Sequence, residues 1–185
     1  RLHLIGDRTT LLLKRFDRTT TGRRIAYQSA MSLLQATDGD PHDYLEVAEA
    51  LTKHSAAPHD DLRDLWRRIV FTLSVNNTDD HLRNHGFLRT RRGWRLSPVF
   101  DVNPNPDTGT TAATSLAWTA SRHEAFARIN EVAQEFEVRG PQRSRILEDV
   151  GTAVMTWRAV ASANGIATAQ QERFTDSFVD PRAAS

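Results

Sequence analysis

Asp79, Asn84 and Asp101 are residues of the types, and at the intervals, that phosphoryl transfer requires. That chemistry needs magnesium held against the β- and γ-phosphates and a hydroxyl nucleophile oriented by an acid. The protein-kinase solution is an Asp-x-x-x-x-Asn loop followed by a later Asp. The run Asp79-Asp80-His81-Leu82-Arg83-Asn84 has that spacing. In such a loop Asp79 can accept the hydrogen bond of an attacking hydroxyl, and the amide oxygen of Asn84 can reach a metal as a hard, neutral ligand. Asp101 adds the anionic oxygen that magnesium prefers. Asp and Asn are ordinary loop residues, so the interval alone recurs by chance. What makes it specific is its setting, because each surrounding element is separately required by the geometry. His81 is a lone imidazole, which more commonly ends as a loop or half-buried histidine than as a ligand. Arg83 is either a solvated charge or, beside two carboxylates, a group that pins the loop or touches phosphate.

The surrounding pattern supplies that setting. Leu62, Leu65, Trp66, Ile69, Val70 and Leu73 form one apolar stripe, which predicts a helix opened by Pro58-His59-Asp60. It runs out in Asn76-Asn77-Thr78-Asp79-Asp80, whose short polar side chains compete for backbone hydrogen bonds and favour a loop. Gly86–Arg89 and Trp94–Leu96 read as an antiparallel hairpin turned at Arg91-Arg92-Gly93, with Asp101 after its second strand. Upstream, Leu2–Ile5 and Thr10–Phe16 read as strands joined at Gly6-Asp7-Arg8. Residues 25–34 carry Ile25, Ser29 and Leu33 at helical spacing, broken at Asp38-Gly39, and Asp40-Pro41 is expected to cap a helix through Tyr44, Val47, Ala48 and Leu51. The last third predicts helices: a capping box at Ser121–Glu124, then a stripe through Ile146, Leu147, Val150, Val154, Trp157 and Val160. Residues 179–185 are expected to be a mobile polar tail.

Composition sets the bounds. The chain has 185 residues, 39% of them hydrophobic, enough for a core without metal or disulfide staples. Its 24 basic and 23 acidic residues nearly cancel, so no global field gathers nucleic acid or anionic lipid. Cysteine is absent, which excludes thiol nucleophiles and cysteine zinc sites and fits a reducing compartment; the cytoplasm is the expected location. No apolar run has membrane-spanning length. Lys14 and Lys53 are the only lysines, leaving arginine with nearly all the positive charge.

Two runs together resemble a known family: Asn77-Thr78-Asp79-Asp80-His81-Leu82-Arg83-Asn84-His85-Gly86 and Leu96-Ser97-Pro98-Val99-Phe100-Asp101-Val102. They look like the catalytic and metal-binding segments of the HipA-type toxin kinases, and Leu13-Lys14-Arg15-Phe16-Asp17-Arg18 resembles the hinge strand of that family. The resemblance implies an α+β, mainly α-helical fold: a protein-kinase-like C-terminal lobe with short β-hairpins, its architecture shared with phosphoinositide kinases. It implies a hinge hairpin over residues 1–18 and a helical lobe over residues 19–178. It implies an ATP- and magnesium-dependent serine/threonine kinase with Asp79 as catalytic base and Asn84 and Asp101 as magnesium ligands. Lys14, Phe16, His81, Arg83, Asn84, Phe100 and Asp101 would meet ATP, the first two through their backbone. The partners implied are a DNA-binding antitoxin of the HipB type and a protein substrate such as an aminoacyl-tRNA synthetase.

The sequence also departs from complete kinases. No glycine-rich phosphate loop occurs, and neither lysine is placed as the clamp that holds the phosphates, so the lobe is expected to act with an N-terminal lobe supplied from outside these residues. Asp101 is followed by Val102-Asn103 instead of Phe-Gly, and no His-Arg precedes Asp79. Two other readings stay open at this point: a catalytically silent kinase-like binding module, and a small-molecule phosphotransferase.

Overall fold

The computed structural model describes residues 2–5 and 8–184. Strands β1 (Leu2–Ile5) and β2 (Arg8–Leu11) pair antiparallel from Leu2↔Leu11 to Ile5↔Arg8. The expected turn residues Gly6 and Asp7 lie outside the described residues. The second strand stops at Leu11, not Phe16, and Leu12 and Leu13 continue as irregular chain; all three leucines leave much of their apolar surface exposed. The helix expected over residues 25–34 is half strand. Tyr27–Ser29 forms β3, paired with a strand some sixty residues on, and only Ala30–Leu34 is helical (α1), capped by the Ser29 hydroxyl, which accepts from the Ser32 N–H.

The next helix starts later than Asp40-Pro41 suggests. His42–Asp43 is a short strand (β4), and the N-cap of α2 (Tyr44–His54) is Asp43. Its carboxylate accepts from the Leu45 N–H while Glu46 reaches back to the Asp43 N–H, a complete capping box. Asp43 wins because it also accepts from the Ser115 hydroxyl and the Trp118 N–H, bonds that Asp40 does not make.

Helix α3 (Pro58–Ser74) is as expected, with Pro58 in its first turn and the whole stripe Leu62, Leu65, Trp66, Ile69, Val70, Leu73 buried. It is the axis of the lobe, with α2 and a later helix packed against it. The polar loop follows, then a single 3-10 turn (Leu82–Asn84). Strands β5 (Gly86–Arg89) and β6 (Trp94–Leu96) form the expected hairpin and extend it to β3, giving the order β3-β5-β6. A Cβ at Gly86 would sit 2.3 Å from the Tyr27 ring, so a larger residue there requires that partly exposed ring to move. Strand β7 (Thr114–Ser115) pairs parallel with β4.

Helix α4 (Arg122–Arg128) is capped by the Ser121 hydroxyl, and Glu124 reaches the Ala120 N–H, one residue before the position a full capping box uses. In α5 (Gly140–Met155) the stripe Ile146, Leu147, Val150, Val154 is buried, but it does not continue. The helix breaks at Thr156, and α6 (Trp157–Ala163) buries none of its residues: Val160 is 55% exposed and Trp157 stacks on Phe178 instead, centroids 4.3 Å apart. A last short helix, α7 (Thr168–Glu172), follows. The segment expected to be mobile is docked: the Val179 N–H donates to Ser74 O, Pro181 is buried, and Arg182 pairs with Glu148 of α5. Among the described residues no helix is long and apolar enough to cross a membrane.

Candidate functional site

Asp79 and Asp80 are consecutive, yet only the first is exposed. Asp80 is turned inward, where its Oδ2 accepts from the Tyr44 hydroxyl at 2.6 Å and from the Thr72 hydroxyl at 3.3 Å. The Nε2 of buried His85 lies 3.3 Å from the same oxygen, and the ring meets Tyr44 edge-on. Burial by itself would raise the Asp80 carboxyl, but the His85 charge and the hydrogen bonds of its neighbours hold it below the usual carboxylate range. Burial, then the Asp80 charge, push the Tyr44 hydroxyl well above its ordinary value. The backbone is fixed as well, with the Thr114 hydroxyl donating to Asp80 O at 2.6 Å. The loop is thus anchored from α2, α3 and β7 through a residue that spacing alone does not single out.

The loop closes on itself between the two predicted residues. Asn84 is buried, and its Nδ2 donates to Asp79 O at 3.1 Å, which leaves Oδ1 as the amide atom able to meet a cation. The His81 N–H also donates to Asp79 O, and the Asn84 N–H to His81 O. His81 is half-buried with Nδ1 unpartnered. Arg83 points elsewhere, pairing with Asp38 and leaning on the Met31 sulfur at 3.9 Å.

The chain on either side of Asp101 is held by a separate set of ties. From α3, buried Asp61 accepts from the Leu96 N–H at 3.0 Å and from Arg95 Nε at 2.9 Å, and Arg68 donates to Ser97 O, so both residues that end the hairpin are pinned. Burial lowers the Arg68 pKa, and the charges of Asp64, Asp61 and Asp80 oppose that shift. Past Asp101, the chain is stitched to the loop: the Asn103 N–H donates to Asn77 Oδ1, the Asn105 N–H to Asn76 O, the Asn105 side chain to the Thr78 hydroxyl, and the Ala113 N–H to Thr78 O. Asp101 is exposed and left-handed, φ 57°, a conformation that costs an L residue energy and collects at functional sites. Its Oδ1 accepts from the Asn103 side chain at 3.1 Å.

The two aromatic residues expected at the nucleotide are together, Phe16 and Phe100 having ring centroids 5.6 Å apart, with Tyr27 6.4 Å from Phe16. Lys14 is exposed. Among the described residues no three His, Cys, Asp or Glu side chains gather to hold a metal ion. A cavity of about 260 Å³ adjoins the loop at Asn76, Asn77 and Thr78. A larger one of about 650 Å³, bordered by α5, α6 and α7, shares no residue with residues 76–84.

Comparison with known proteins agrees with this architecture. The family model of the HipA-like C-terminal domain matches residues 1–157. A putative kinase of Haemophilus influenzae is 29% identical over 68 residues, which are 35% of this chain and 20% of that protein. The HipA structure from the Shewanella oneidensis MR-1 toxin-antitoxin complex of HipA, HipB and operator DNA superposes with a TM-score of 0.71 at 14% identity, covering 100% of this chain and 50% of that one. The chain therefore spans half the length of that solved relative and a fifth of the curated one.

Proposed function

We propose, for a chain that belongs to the HipA-like C-terminal domain family, that it carries the base and the metal ligands of an ATP- and magnesium-dependent serine/threonine protein kinase. The observation that carries the reading is the closed loop in which buried Asn84 holds the backbone of exposed Asp79, followed by an exposed, left-handed Asp101 whose next residues are hydrogen-bonded to the same loop at Asn77 and Thr78. One carboxylate and one amide oxygen are too few for an all-protein cage. They suit magnesium, which keeps waters and is commonly held by one or two carboxylates plus substrate phosphates. When bound, the ion would neutralise charge on the transferring phosphoryl group.

The residues of this chain do the rest. Asp79 accepts the proton of the serine or threonine hydroxyl as that oxygen attacks, and its exposure gives the hydroxyl access. Asn84 keeps Asp79 in place by holding its carbonyl and offers Oδ1 to the ion, and Asp101 offers its carboxylate. Phe16 and Phe100 present an aromatic surface to the adenine, with the backbone of Lys14 and Phe16 at its edge; His81 lies in the loop beside Asn84, and Arg83 would have to leave Asp38 to meet a phosphate. We extend to this chain a DNA-binding partner of the HipB type, because the Shewanella HipA was solved with HipB and operator DNA. A protein substrate, with an aminoacyl-tRNA synthetase as the first one to try, completes the proposal.

The test is Asp79→Asn in the whole protein that carries this chain. Loss of a general base lowers turnover by roughly 10²–10⁴-fold, while ATP binding measured by calorimetry stays near the unsubstituted value. Undiminished transfer of labelled phosphate would remove Asp79 from this role.

A further inference from the structure

The near balance of charge over the whole chain conceals a sharp local separation. Residues 18–37 and residues 81–100 hold eight arginines and no lysine, aspartate or glutamate; with a formal net charge of +1 for the chain, the remainder is therefore net acidic. The fold places these two segments side by side. Strand β3 pairs with β5 and β5 with β6, and beyond the paired residues of β3 the Arg89 N–H still donates to Ala26 O at 2.8 Å. Arg23 and Arg24, just before β3, are thus at the same end of the sheet as Arg89, Arg91 and Arg92. It is the end away from Asn84, which precedes β5. At about 3.4 Å per residue, β5 carries Arg89 roughly 10 Å from Gly86.

Neutralisation within the protein reaches only three of the eight. Arg18 pairs with Asp17, Arg83 with Asp38 and Arg95 with Asp61. Arg23, Arg24, Arg89, Arg91 and Arg92 are exposed, and their side chains make no ion pair among the described residues. The acids within reach are committed: Asp17 is shared by Arg15 and Arg18, and Glu49 of α2 is taken by Lys53. Arg89 lies over the Trp94 ring, 5.5 Å from its centroid, a contact that orients the guanidinium and leaves it charged. Five like charges gathered without internal partners repel one another, and a bound polyanion relieves that repulsion.

The surroundings of the patch select among anions. Small molecules favour concave sites, and neither the 260 Å³ nor the 650 Å³ cavity borders any of the five arginines. An extended acidic peptide commonly adds to an open strand edge, and both edges are closed at this end of the sheet. Arg24 is bridged to Arg18, and Trp94 to Ser55, whose neighbour Ala56 donates its N–H to Trp94 O at 2.7 Å. What remains is contact through side chains alone, by arginine forks that meet phosphate oxygens two at a time. Proteins hold a sugar–phosphate backbone in this way without reading its sequence.

We infer that this arginine-rich end of the β3-β5-β6 sheet is a docking surface for nucleic acid, holding the phosphate backbone of a duplex independently of its sequence. It is separate from the loop of residues 76–84 and requires neither ATP nor the kinase reading. The test uses the whole protein that carries this chain, without any protein partner, and follows the fluorescence anisotropy of a short labelled DNA duplex of mixed sequence. With all five arginines on phosphates, log K falls against log salt with a slope of about −4 to −5, a loss of roughly several hundredfold between 50 and 200 mM salt. Arg91→Ser together with Arg92→Ser flattens that slope by about two, and so does Arg23→Ser together with Arg24→Ser. Arg128→Ser together with Arg173→Ser, an equal change of charge at exposed positions outside the patch, leaves the slope as it was. Equal flattening by that control pair would reduce the effect to net charge and overturn the patch, as would an unmoved slope in both patch variants or no binding at low salt. Tighter capture of poly-L-glutamate than of the duplex would make the surface an acidic-protein site. Tighter binding to vesicles of phosphatidylserine and phosphatidylcholine would make it a membrane site, and either result overturns the assignment to nucleic acid.

Discussion

Tyr44→Phe removes one oxygen from the fully enclosed network behind the loop of residues 76–84 and leaves the ring packing in place. The lost bond is a hydroxyl donor on the Asp80 carboxylate at 2.6 Å, and both residues are buried. Hydrogen bonds to charged groups contribute about 1.5–3 kcal/mol, and Asp80 keeps only the longer Thr72 bond and the His85 contact, each at 3.3 Å. A loss of about 2 kcal/mol at pH 7 follows, or roughly 4–8 °C in Tm for a chain of this size. The pH dependence is the sharper signature. Because the folded Asp80 pKa is depressed, its contribution is complete above the unfolded value of about 3.9 and is lost as pH falls through the folded value. Without the Tyr44 donor the folded pKa rises toward 3.9, so acid unfolding begins at higher pH and the gap between wild type and variant narrows at low pH. Tyr44 is shifted upward, so wild type also loses stability as pH climbs above about 10, and the variant lacks that alkaline component. Urea titrations at pH 3.5, 7 and 10.5 measure all three. A cost under about 0.5 kcal/mol at pH 7 together with an unmoved acid limb would refute the argument that Asp80 is held as a buried anion.

Arg122 caps α3 from outside, its guanidinium donating to Leu73, Ser74, Asp176 and Ser177 carbonyls while burial lowers its pKa to about 10. Arg122→Ala is expected to cost about 1–3 kcal/mol in urea titration, with Arg122→Lys recovering little because an ammonium cannot fork among these acceptors; full recovery by lysine would reduce the role to charge alone. Asp61→Ala strands the Ser55 hydroxyl, the Leu96 N–H and the half-exposed Arg95, for about 2–3 kcal/mol after discounting solvent screening at Arg95, and hydrogen exchange should rise first at Leu96 and Ser97. These 185 residues, which contain no glycine-rich phosphate loop, should bind ATP weakly and transfer phosphate slowly until the rest of a kinase is supplied; full turnover from them alone would show that the phosphates are covered in another way.

What the sequence makes legible here is what local pattern decides. The α3 stripe, the polar loop and the β5–β6 hairpin are each specified within a few residues, and so the order Asp79, Asn84, Asp101 could be placed on the right elements. Where distant chain intervenes, pattern misleads. Residues 27–29 have helical spacing but are recruited by β5, and Asp40 yields the helix cap to Asp43 because bonds to Ser115 and Trp118 add to the capping box. The α5 stripe offers no glycine or proline to announce its end at Thr156, since stacking on Phe178 redirects the chain there.

Asp80 is the instructive case. Side by side in sequence, Asp79 and Asp80 are chemically identical, and nothing local says which one turns in. The choice is made by Tyr44 and Thr72, 36 and 8 residues away, whose hydroxyls make the interior hospitable to one carboxylate at that position. A buried carboxylate without such donors would cost several kcal/mol, so the network that hides Asp80 also determines that Asp79 is the acid left facing solvent. The exposure of Asp79 is therefore secured by residues that it does not touch, and substitutions at Tyr44 should reach Asp79 through the backbone it shares with Asp80.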